Sequence, residues 1–129
     1  MLNVLRAAIG LLGLFFVVIG IGFLVVPAKL AAAFFLSPLG SQGMATLRAD
    51  FTGFFIGVAV FALIGAWRGE ARILLVPMLM VGLALFGRVI SILVDGMAPT
   101  AIQPMVIEAV TIGVLALGYR RFEAEARCP

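Results

Sequence analysis

Histidine is absent from the chain, and cysteine occurs once, at Cys128 beside the C-terminus. The first absence removes the commonest metal ligand, the usual haem ligand and the commonest general base. The second excludes an internal disulfide and the paired-cysteine redox chemistry that depends on one. Charge is scarce too: 12% of the 129 residues are Asp, Glu, Lys or Arg, against 64% hydrophobic. Mean hydropathy is +1.28. Soluble domains are about a quarter charged and about half apolar. So few charges cannot wet the surface of a soluble protein this small, so lipid is the solvent for most of the chain. No metal, haem or other cofactor is expected. The net charge of +3 comes from residues scattered at segment ends. Without a basic stripe it is not the signature of a nucleic-acid partner.

Four apolar segments are present. Ala7 to Val26 carries no charge, and Phe51 to Trp67 follows after a loop. Ile73 to Val94 is interrupted only by Arg88, and Ala101 to Tyr119 only by Glu108. About 20 residues of helix cross a hydrocarbon core of about 30 Å. In lipid the backbone must satisfy its own hydrogen bonds, and four strands would not close a barrel. The expected fold is therefore all-α: an integral membrane four-helix bundle, one domain over 1–129, with spans near 5–26, 44–67, 72–94 and 101–119. The first segment reads as a retained helix. It is longer than a signal-peptide core, and Pro27-Ala28-Lys29 is a poor cleavage context.

Arg6, Arg68, Arg72, Arg120, Arg121 and Arg127 fall at the N-terminus, the second loop and the C-terminus, while only Lys29 and Arg48 fall on the other side. The positive-inside rule then puts both termini in the cytoplasm, with Trp67 and Tyr119 as interfacial anchors on that side. The location expected is the bacterial inner membrane, crossed several times. The first loop, from Pro27 to about Gly43, is apolar between its prolines. Two readings are open: a short helix lying on the periplasmic face with Phe34 and Phe35 dipped into lipid, or an irregular loop over the bundle mouth. At the start of the fourth helix, Thr100 and Gln103 form a capping-box pattern. Alternatively Gln103 caps and Pro104 takes the first helical position. Gly53 with Gly57, and Gly10, Gly13 and Gly20, are expected to let helices approach closely. The plainer account is that glycine is common in membrane helices.

The charges inside the spans need a reason. At 1.5 Å per residue, Asp50 and Arg88 lie about 10 Å, and Glu108 about 12 Å, below the same end of the bundle. Arg48 sits one turn nearer the surface. Asp50 shares a face with Gly53 and Gly57; Ala84, Arg88, Ser91 and Asp95 share another; Glu108 lies with Pro104 and Thr111. An unpaired charge at mid-bilayer costs about 2.5–3.5 kcal/mol on insertion scales. Arg48, Asp50, Arg88 and Glu108 balance, and are expected to form one enclosed polar cluster. Arg88 is its hub, because a guanidinium can bridge two carboxylates. Such a cluster either binds a ligand or only fixes helix register. Ser91, Asp95 and Gln103 lie nearer the surface, as an entrance or as solvated helix ends.

"LRADFTGFFIGVAVF", "GLALFGRVISILVDG" and "IEAVTIGVLAL", following a glycine-rich first helix, Pro27, Lys29 and "SPLG", resemble a family of small four-helix bacterial membrane proteins known only as a domain of unknown function. That family is similar in architecture to the DoxX-like group. Its pattern maps onto Arg48, Asp50, Gly53, Arg88, Asp95 and Glu108, with glutamate more often in place of Asp50. The resemblance implies fold and location and brings no activity.

Three functions compete. One is a binding protein or carrier for a lipophilic small molecule whose polar head meets Arg88, Asp50 and Glu108. Another is a membrane enzyme with a buried carboxylate as acid or base, although no catalytic motif singles out a catalytic residue. The third is an accessory or structural subunit, as a homo-oligomer or within a larger membrane complex. Apart from Glu108 and its outer-half companions the bundle has no polar lining, so a channel fits poorly.

Overall fold

The computed structural model describes residues 1–128, and among them every regular element is helical. There are five helices: α1 (Leu2–Val25), α2 (Pro27–Ala33), α3 (Gly40–Arg68), α4 (Ala71–Asp95) and α5 (Pro99–Arg127). All but α2 are long and apolar enough to cross a membrane, at 24 to 29 residues each. A rise of 1.5 Å per residue makes even the shortest about 36 Å long, more than a hydrocarbon core of about 30 Å.

The breaks follow from backbone chemistry. Val26 precedes a proline and leaves the helical region, and Pro27 opens α2 where a missing N–H costs nothing. Glycines with positive φ end α3 at Gly69 (φ 65) and α4 at Gly96 (φ 89). The start of α5 differs from both expectations: no side chain caps it, and Pro99 rather than Pro104 occupies the opening, in a 3-10 turn over Pro99–Ala101. Proline fixes its own φ near the helical value, so Pro99 sets the entry before Thr100 or Gln103 can. Helix α3 also starts earlier than expected, at Gly40, and contains a π-type turn over Leu47–Phe51.

Each spanning helix packs chiefly on two neighbours, in the order α1, α3, α4, α5 and back to α1. The most extensive seam is α1 on α3. A Cβ at Gly13 would fall 2.6 Å from Leu63 Cγ, and one at Gly20 would fall 2.7 Å from Ile56 Cγ1. Thr52 Oγ1 donates to the Gly20 carbonyl at 3.1 Å, which ties the same seam by a hydrogen bond. The glycine pattern thus holds at Gly13 and Gly20, and at Gly57 against Met80. It fails at Gly10 and Gly53, where a side chain would meet nothing within 4 Å. The π turn also alters how Asp50 and Gly53 relate. It advances the chain with more residues per turn than an α-helix, so Asp50 and Gly53, on either side of its end, do not keep the face that α-helical spacing assigns.

Two cores result. At the end of the bundle bearing the termini, Ile9, Leu74, Leu115 and Phe122 are fully buried with Ala62 and Ala66. There Arg6 lies over the Phe122 ring, 5.7 Å from its centroid, and its guanidinium occupies the space beside Gly69. At the opposite end, which carries α2, the core is aromatic: Phe16, Phe23 and Phe55 are buried with Val58 and Val81. Phe34 packs into this core, with ring centroids 5.1 Å from Phe23 and 5.8 Å from Phe55. It is therefore turned inward, unlike the interfacial-helix reading in which it dips into lipid, whereas Phe35 is 74% exposed. The first loop contains a short helix, which packs through Pro27 and Ala31 on the bundle.

Candidate functional site

The helix order places the intramembrane charges around a common space. A cavity of about 710 Å³ lies in the α2 half of the bundle and is bounded by all five helices and the loop after α2. Asp50 reaches it from α3, Arg88 from α4, and Glu108 and Gln103 from α5. Arg48, one turn away, does not line it.

The polar contacts are fewer than a four-charge cluster requires. Arg88 Nε donates to Glu108 Oε1 at 2.9 Å, with the two side chains 38% and 14% exposed. Among the described residues neither Arg48 nor Asp50 forms an ion pair. The expected hub therefore holds one carboxylate, not two, and the quartet is not closed. Asp50 has a single methylene and stands on the α3 wall with the cavity before it, so its carboxylate remains apart from the Arg88–Glu108 pair. The second oxygen of that pair, Glu108 Oε2, is buried without a hydrogen-bond partner. An orphan acceptor of this kind costs about 1–3 kcal/mol, and more when charged.

Ser91 and Asp95 lie off the main cavity. With Ala84 and Arg88 they line an adjoining hollow of about 640 Å³ between α4 and the α4–α5 turn. Ser91 Oγ donates to Asp95 Oδ2 at 2.9 Å. Arg88 faces both spaces, so the guanidinium stands between an exposed polar strip on α4 and the main cavity. Thr111, one turn beyond Glu108, is buried and returns its hydroxyl to the Ile107 carbonyl at 2.7 Å. It closes the polar region towards the terminal end.

The remaining wall is aromatic, a feature that charge placement alone does not reveal. The chain has three Phe-Phe doublets, at 15–16, 34–35 and 54–55. All six rings line the cavity, from α1, the end of α2 and α3, and Phe51 joins them. The doublets themselves were the available signal. Two adjacent side chains on a helix diverge by about 100°, so one ring packs into the core while its neighbour turns along the wall. Phe16 and Phe55 stack with centroids 5.9 Å apart, while Phe15 and Phe54 meet them edge-on. Phe35 holds φ 58 where the end of α2 calls for glycine. The turn is otherwise a standard helix stop, with the Leu36 N–H on the Ala31 carbonyl at 2.8 Å and the Phe35 N–H on Ala32 at 3.1 Å. A phenylalanine kept there at a cost of order 1–2 kcal/mol places its ring at the cavity rim.

Residues 4–119 match the model of a family described as a domain of unknown function (DUF4345), and the chain belongs to that family. No curated protein and no solved structure matches it.

Proposed function

We propose that this DUF4345 protein is a binding protein or small carrier for a lipophilic molecule with a polar head, held within the bundle between the phenylalanine doublets and the Arg88–Glu108 pair. The observation that carries the reading is the cavity itself, open on one side. A purely structural charge network needs no cavity and gains by closing one. Here Asp50 and the ion pair line about 710 Å³ of space together with seven phenylalanines. Small-molecule sites are about 300–1,000 Å³, mostly apolar, with a few convergent polar groups. This composition suits a body that partitions into lipid and a head that hydrogen-bonds.

The same reading extends to topology. The arginine excess at the terminal end favours a cytoplasmic location for both termini. The cavity and α2 then lie in the outer half of a bacterial inner membrane, with α2 at the interface and the exposed Phe35 towards the outer leaflet. A ligand would enter from that leaflet.

Photolabelling tests the proposal. An alkyl benzophenone irradiated with the protein in membranes should attach to Phe16, Phe55, Val81 and Pro104, which line the cavity. Adducts confined to outward residues such as Leu11, Val18, Leu79 and Leu83 would mean that the probe sees only the lipid-facing surface.

A further inference from the structure

The charge balance of the cavity selects the head group. Two carboxylates and one guanidinium face the space, and the guanidinium is already bonded to one of the carboxylates. What is left open to a ligand is mainly the acceptor Asp50, which is exposed and has no ion pair. The rest of the wall presents phenylalanine rings, whose faces carry partial negative charge.

A carboxylate or phosphate head would enter against two like charges, with only the outer nitrogens of a committed arginine to receive it. A neutral acceptor head would offer Asp50 no donor. An ammonium donates hydrogen bonds, offsets the uncompensated negative charge of Asp50, and is attracted to ring faces. Resting on the lipophile-binding reading above, we propose that the cavity takes a lipophilic amine in its protonated form. Asp50 is the charge that selects it, and the phenylalanine doublets hold the apolar body. Glu108 stays bonded to Arg88 beside it and keeps the guanidinium from an anionic head.

The test is equilibrium dialysis of the purified protein in detergent against protein-free micelles of the same detergent. Three probes share one biphenyl frame: 4-phenylbenzylamine, 4-biphenylacetate and 4-ethylbiphenyl, which are cationic, anionic and neutral at pH 7. The amine is expected to bind tightest and the acetate weakest. Asp50→Asn keeps the side chain's size and removes its charge. It should weaken the amine about tenfold, the loss of one charge-assisted hydrogen bond, and leave 4-ethylbiphenyl unchanged. Equal binding of amine and acetate, or an amine affinity indifferent to Asp50→Asn, overturns the assignment of the head while leaving a lipophile site. If no probe is retained above the micelle control, the lipophile-binding reading falls and the amine assignment with it.

Discussion

Arg88 and Glu108 are joined by a single hydrogen bond, Nε to Oε1 at 2.9 Å, and the other carboxylate oxygen of Glu108 is buried with no partner. The pair thus bridges α4 and α5 and still has unused bonding capacity, which distinguishes it from a saturated structural ion pair. Removing one member strands the other. Arg88→Leu should lower unfolding stability in detergent by about 1–3 kcal/mol, at the lower end of buried-pair losses because the guanidinium is 38% exposed. The double variant Arg88→Leu, Glu108→Leu should recover most of that loss. Equal stability of the wild type and Arg88→Leu would show that the bond contributes nothing to the bundle.

The glycines divide into two kinds, and alanine substitution separates them. Gly20→Ala pushes a methyl against the Ile56 backbone nitrogen, 3.2 Å from the new Cβ, as well as its side chain. A cost of about 1–3 kcal/mol is expected from overpacking. Gly53→Ala meets open space in the middle of a helix. It should be neutral or stabilising by up to about 1 kcal/mol, the difference in helix propensity. Thermal unfolding of the two variants side by side checks the contrast, and a larger loss at Gly53 would contradict the helix packing described.

Phe35 gives a trade between stability and binding. Phe35→Gly relieves a left-handed conformation at the end of α2 and should raise stability by about 0.5–1 kcal/mol. The same change removes a ring from the cavity rim and should weaken retention of any lipophile. A variant that is less stable and binds unchanged would show that the ring packs rather than gates.

Membrane orientation is checked by cysteine labelling in a Cys128→Ser background. Ser41 and Glu70 are both exposed and lie at opposite ends of α3. A periplasm-restricted thiol reagent should modify Ser41→Cys and spare Glu70→Cys. The reverse pattern would invert the topology.

Much of this fold is legible before any coordinates, because hydropathy and length depend on composition over a whole span and tolerate local error. Four long apolar helices follow from uncharged runs, and depth counting places Asp50, Arg88 and Glu108 around one level because helical rise is nearly constant. Finer relations fail where local geometry departs from the ideal helix. The π turn at Leu47–Phe51 breaks the α-helical spacing that assigned Asp50 and Gly53 to one packing face. Pro99 pre-empts the cap assigned to Thr100 or Gln103. Balanced formal charge suggested a closed quartet, yet pairing depends on side-chain reach across a space that no pattern in the sequence measures. The aromatic wall was written in three Phe-Phe doublets, but adjacency along a chain does not reveal that α1, α2 and α3 converge.

The most direct test is native mass spectrometry of the protein extracted from its membrane in mild detergent, alongside Ala84→Phe, which places a ring in the space between Arg88 and the phenylalanine wall. A discrete small-molecule mass on the wild type that is missing from a folded Ala84→Phe protein is the predicted result. A bare wild-type mass, with Ala84→Phe raising stability by filling an empty cavity, would contradict the binding site and leave Arg88 and Glu108 as a structural pair.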